Sequence, residues 1–151
     1  MSQLADIRNA VADRVRDAGL DSTVNVFAYP PADFQPPAVL VLPGADTYIE
    51  YHGTFGALRV QTVNLTVRII VPEGGSPQSA GEAIDAYLSS GSAETSSLAD
   101  AITGSGVVVG DSLADLYAER AEGWIIGVLG TSTATPVVSC DIPVRVALKR
   151  S

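Results

Sequence analysis

The chain has 151 residues, 46% of them hydrophobic and only 17% charged, with a formal net charge of −8 and a mean hydropathy of +0.25. That is apolar material enough for one domain with its own core, and charge is sparse against the roughly 25% usual in soluble chains. An acidic balance without a Lys/Arg cluster excludes direct wrapping of nucleic acid, no apolar run reaches the ~18 residues of a membrane span, and Cys140, the single cysteine, excludes an intramolecular disulfide framework.

Residues 2–19 predict an amphipathic helix. Ser2 can cap it, Leu4, Ile7, Val11, Val15 and Ala18 make one apolar stripe, and Gly19 follows as a stop. Arg8, Arg14 and Arg16 lie on this helix among acidic residues. The N-terminus has no charged segment followed by an apolar one, so no secretory signal is expected. Residues 24–29 predict a short strand with Val24, Val26 and Ala28 on one face. Pro30, Pro31, Pro36 and Pro37 then dictate an extended loop, because proline lacks the donor that a sheet ladder needs. Ala38–Leu42 is a continuous apolar strand closed by Pro43-Gly44, Tyr48–Tyr51 resumes an extended pattern, and His52–Ala57 reads as an exposed, glycine-bearing, polar–aromatic loop.

The stretch Arg59–Val71 carries the strongest pattern. From Val63 the odd positions are apolar (Val63, Leu65, Val67, Ile69, Val71), and the even ones are Asn64, Thr66 and Arg68, with Ile70 breaking the rule. Strict alternation predicts a long strand with one face on a core and a polar face that meets water or another protein. The segment P-E-G-G-S-P at Pro72–Pro77 breaks the chain, and Ser76-Pro77 opens a helix carrying Ala80, Ala83, Ile84, Tyr87 and Leu88. A small-residue linker at Ser90–Ser97 leads to a short helix with Leu98, Ala101 and Ile102, for which Ser97 and Asp100 resemble a capping box, stopped by Gly104. Val107–Val109 is a strand; Asp111–Glu122 suits helix or strand and is assigned to strand because β-like runs flank it. Trp124–Leu129 and Pro136–Leu148 predict a closing hairpin, with Pro143 suggesting an edge position or a bulge. Strands and helices do not alternate as βαβ units do, so the expected class is α+β: one domain, a mostly antiparallel sheet, and helices packed on one face.

Candidate chemistry is thin. His52, the one histidine, would share a strand face with Glu50, but no nucleophile pattern accompanies them. Cys140 alternates with Val138 and Ile142 and reads as core. Gly104-Ser105-Gly106 leaves a helix and enters a strand, the reverse of a dinucleotide fingerprint, so these glycines read as a turn. Asp111 with Asp115, and Glu119 with Glu122, lack neighbouring His or Cys and default to solvated acids. Neither a catalytic group, a metal site nor a cofactor is expected. Tyr48, Tyr51, Phe55 and Trp124 sit in or beside glycine-bearing turns, where aromatics serve as interface anchors or as core. The candidate contact surface is therefore Tyr48, Tyr51, His52, Phe55, Asn64, Thr66, Arg68 and Trp124.

The layout resembles the tail terminator (tail-completion) proteins of long-tailed bacteriophages. The similarity rests on the opening helix Leu4–Ala18, the proline-flanked strand P-P-A-V-L-V-L-P-G at Pro36–Gly44, and the long strand Leu58–Val71 after a tyrosine-bearing segment. The central helix Ala80–Leu88 and the closing hairpin to Leu148 complete it. The resemblance implies an α+β subunit without enzymatic activity or cofactor that assembles into a six-membered ring, caps the head-proximal end of the tail tube and stops its polymerisation. Its implied partners are further copies of itself, the tail tube protein and head–tail connector proteins, with DNA passing through the lumen unbound and no membrane. The implied location is the virion tail, assembled in the host cytoplasm. Another connector or stopper protein, or a small enzyme using His52, are the alternative expectations.

Overall fold

The computed structural model describes residues 3–18, 24–32, 34–54, 57–73, 77–88, 98–110, 112–118, 120–129 and 135–149. The predicted caps Ser2 and Ser76, the linker 90–97 and Phe55 lie outside them. In chain order the elements are α1 (Gln3–Arg16), β1 (Asn25–Phe27), β2 (Ala38–Pro43), β3 (Ile49–Thr54), β4 (Ala57–Pro72) and α2 (Pro77–Leu88). They continue with α3 (Leu98–Ile102), β5 (Gly104–Val109), β6 (Ser112–Ala118), β7 (Glu122–Leu129) and β8 (Thr135–Lys149). The class is α+β: one eight-stranded sheet in which every pairing is antiparallel except β1 with β2.

Two strands, 16 and 15 residues long, organise the sheet. Both exceed the usual 3–10 or so, and each serves two partners placed end to end. On one side β4 pairs with β3 over Ala57–Val63 and then with β2 over Leu65–Ile70. On its other side β8 runs alongside from Thr62 to Pro72. The far side of β8 takes β7 over Thr135–Asp141 and β6 over Val144–Lys149. One end of the sheet therefore reads β3-β4-β8-β6-β5 across, with Ile49, Val63, Val146, Leu116 and Gly104 in one row. The other end reads β1-β2-β4-β8-β7, with Phe27, Leu40, Arg68, Asp141 and Glu122 in one row.

The alternation of β4 places Val63, Leu65, Val67, Ile69 and Val71 in the main core, against Val138, Cys140, Ile142, Val144 and Val146 of β8. Ile7, Val11 and Val15 of α1, Ala80 and Ile84 of α2, and Leu98 and Ile102 of α3 cover the same face. All three helices thus lie on one side, as the two periodicities require.

Three local expectations are corrected. His52 and its neighbours to Thr54 are strand, not loop: cross-strand pairing continues to Thr54 and Ala57, so only Phe55 and Gly56 separate β3 from β4. Gly53 does not break the run because the ladder with β4 sets the backbone. Gly104–Gly106 belongs to β5, with an irregularity between Gly104 and Val107 where Gly106 takes φ 65°. Pro143 lies on an interior strand. It is tolerated because it falls in the gap between the last β6 partner, Val144, and the first β7 partner, Asp141, where β8 has no neighbour on that side.

Candidate functional site

The helix-free face was the surface expected to meet a partner, and much of its polarity is satisfied within the subunit. Arg68 and Asp141 face each other across β4 and β8. The guanidinium donates twice, Nε to Oδ1 at 2.8 Å and Nη2 to Oδ2 at 3.1 Å. Hydrogen bonding to Asp141 raises the Arg68 pKa above its ordinary value, against the opposing effect of burial. Asn64 Nδ2 donates to Glu50 Oε2 at 3.3 Å, and Thr66 is buried. Ile70, the exception to the alternation, sits with Leu40 and Val137 in a second small core. Phe27 of β1 and Phe34 of the proline-bearing loop cover it, their rings 6.2 Å apart. The even face of β4 is thus partly a second core rather than an open polar strip.

A double-mutant cycle on Arg68→Ala and Asp141→Ala is expected to give a coupling of about 0.5–1 kcal/mol, because both side chains are partly solvated. Urea unfolding of the four proteins measures it; a coupling of zero would show that solvent already replaces the pair.

A recess of about 300 Å³ opens on this face. It lies where both long strands change partner: Asn64 stands between the β3 and β2 ladders, and Pro143 between those of β7 and β6. The chain from β2 to β3 turns tightly over Asn64, whose backbone accepts from Gly44 N–H at 2.8 Å and donates to the Tyr48 carbonyl at 2.7 Å. A Cβ at Gly44 would come within 2.5 Å of the Thr47 carbonyl oxygen, so only glycine fits that crossing. The lining mixes the carboxylates of Asp46, Glu50 and Glu122 with the guanidiniums of Arg120 and Arg145. Glu122 is ion-paired with Arg120 at 2.8 Å. Among the described residues no group of three or more His, Cys, Asp or Glu side chains could hold a metal ion.

The other candidates disperse. Tyr48 is partly buried against the main core. Trp124 is half-exposed on β7, with its indole beside Gly81 of α2, where a Cβ would stand 3.4 Å from Cζ2. Tyr51 pairs with Val60 and His52 with Arg59 across the β3–β4 ladder; their side chains, like all of Phe55, lie outside the described residues. The register shift between Glu50 and Tyr51 leaves Gln61 as an extra residue on β4, and the Glu50 carboxylate accepts from Asn64. The Ser105 hydroxyl and the Gly106 N–H both donate to Asp115 Oδ1 at 3.0 Å, so the donors of that glycine-rich stretch are taken by the chain's own carboxylate. Asp111 and Glu119 lie outside the described residues. Cys140 is buried, and burial pushes its thiol above the ordinary 9.0, which leaves it a poor nucleophile.

Two features were not anticipated. The arginines of α1 tie the helix to carbonyls of three other elements: Arg8 to Val41 at 2.8 Å, Arg14 to Ile102 at 2.9 Å, and Arg16 to Val26 at 3.0 Å. Arg14 caps the end of α3, where helix carbonyls lack partners, and approaches so closely that a Cβ on Gly104 would stand 2.6 Å from its Nη2. The second feature is an arm. The β3–β4 ladder extends to Ala57, whereas β8 supports β4 only from Thr62. Residues 51–54 and 57–61 therefore form a two-stranded ribbon beyond the sheet, leaving it at the Gln61 irregularity.

No protein-family model matches the chain, and no curated protein matches it significantly.

Proposed function

We propose that the chain is a structural subunit of a bacteriophage virion, a tail terminator. It forms a ring, hexameric as the resemblance implies, that caps the tail tube, stops its polymerisation and joins the tail to the head. The arm carries this proposal. A two-stranded ribbon without further strands is marginal in water, and the segment 51–61 contains Tyr51, Phe55, Leu58 and Val60. Such a ribbon gains cover in an assembly. The layout that prompted the resemblance supports the same reading: opening helix, proline-flanked strand, long strand, central helix and closing hairpin are all formed. A net charge of −8 suits a conduit that DNA traverses without sticking, and the partners are further copies, the tail tube protein and head–tail connector proteins. The function needs no cofactor.

The test is the mass of the assembled species in solution, followed by negative-stain imaging with purified tail tubes. A six-membered ring seated at one tube end is the expected result. A ring of different stoichiometry that binds the portal side instead would reassign the chain to the connectors or stoppers. A protein that stays monomeric and never binds tube ends sinks the proposal. Loss of a measurable activity in His52→Ala, with assembly intact, would favour an enzyme.

A further inference from the structure

The recess where both long strands change partner holds polar groups that the fold leaves unused. Thr66 in its lining is only 8% exposed, and its hydroxyl makes no hydrogen bond among the described residues. The hydroxyl is not sealed in, because among the described residues only Arg8 Nε is both closed off and without a partner. Thr66 lies on the helix-free face, opposite Pro143, so the space its hydroxyl reaches is the recess. A nearly buried hydroxyl without a bond within the chain is costly unless a group from outside supplies one.

The charges around the recess are likewise only partly matched. Glu122 is paired with Arg120. Asp46, Glu50 and Arg145 also line the recess, and none of them forms an ion pair among the described residues. Asp46 lies in the turn from β2 to β3 and Glu50 on β3, so both carboxylates stand on one side of β4. Arg145 stands on the other side, on β8, directly across from Asn64. Strands that flank a common neighbour lie roughly 10 Å apart. That spacing keeps the guanidinium from neutralising the carboxylates and leaves room between them.

We infer that the recess binds a free basic α-amino acid, lysine or arginine. Its carboxylate meets the Arg145 guanidinium, its two cationic groups meet Asp46 and Glu50, and the Thr66 hydroxyl bonds the ligand between them. The charges correspond: two unpaired carboxylates and one guanidinium face two cations and one carboxylate. An anion alone would face Asp46 and Glu50, and a cation alone would leave Arg145 unmet. A volume of about 300 Å³ stands at the small end of ligand sites and suits an amino acid. Such a site goes beyond the ring reading and does not depend on it.

Isothermal titration of the full chain tests it with three probes: L-lysine, cadaverine (lysine without its carboxylate) and acetate. L-lysine is expected to bind about tenfold more tightly than either of the others. Arg145→Gln is expected to weaken L-lysine about tenfold and to leave cadaverine as tight or tighter. General attraction to a chain of net charge −8 would act the other way, because that variant is more acidic and would draw both cations more strongly. Thr66→Val keeps the side-chain shape and is expected to weaken L-lysine about fivefold. Its urea midpoint is expected to be no lower than wild type, since the hydroxyl it removes has no bond within the chain to lose. L-lysine no tighter than cadaverine or acetate, or unaffected by either substitution, overturns the inference. So does the absence of any L-lysine binding at about 10 mM. Each of these results leaves the ring reading standing.

Discussion

Ile69→Ala is expected to lower the free energy of unfolding by roughly 2–5 kcal/mol, while Arg68→Ala beside it costs about 1 kcal/mol. The residues are consecutive on β4 and point to opposite faces. Ile69 is 1% exposed in the main core, flanked by Val39 on β2 and Cys140 on β8. Removing three carbons there forfeits their transfer energy and leaves a cavity, because strands paired on both sides cannot collapse into it. Arg68 is partly solvated, and water replaces what its pair with Asp141 loses. Against a total stability of about 5–15 kcal/mol for a domain of this size, the first change removes a large share. Urea midpoints at unchanged m-value measure both. Equal losses would mean that the helix-free face is as much a core as the helical one, and that the alternation of β4 does not divide the molecule.

That division was legible because a period of two over a long run admits one physical solution: a strand with two unlike faces. The same holds for α1 and for β8, whose Val138, Cys140, Ile142, Val144 and Val146 all reach the core. Composition gave less where pairing overrides it. The glycines of H-G-T-F-G-A read as a loop, yet the ladder to Ala57 holds Gly53 in strand. Pro143 read as an edge position or a bulge, and the missing information was that β8 has two partners on one side with a gap between them. A single strand's sequence does not record where its neighbours end. For the candidate surface, alternation located Asn64, Thr66 and Arg68 on one face but said nothing of Asp141 opposite Arg68, because cross-strand partners belong to register. The exposure of Val108, Leu113 and Tyr117 was hidden for a similar reason: exposure on a strand depends on which face the helices cover.

Arg8 had a signal that went unused, and the largest polar effect is expected there. Its number falls four after Leu4, three before Val11 and seven before Val15, so it stands on the apolar stripe of α1. The structure buries it to 7% exposure. Its Nη2 donates to the Val41 carbonyl, one residue past Leu40, where the β1 ladder ends. Its guanidinium lies 4.2 Å from the centre of the Tyr29 ring, while Nε has no hydrogen-bond partner. One side chain thus pins helix, strand and loop together, with a buried charge held by a carbonyl and an aromatic face. Arg8→Ala loses both contacts and opens a cavity, at a cost of roughly 2–4 kcal/mol. Arg8→Met fills the space and removes the charge that must be desolvated, so its loss is expected to be smaller, although the Val41 carbonyl is then orphaned. Arg8→Lys keeps the charge but not the planar face that stacks on Tyr29, and is expected to fall nearer alanine. The order Met above Lys in thermal and urea unfolding is the informative outcome. Lys equal to wild type would show that charge alone suffices, and that the stack on Tyr29 contributes nothing.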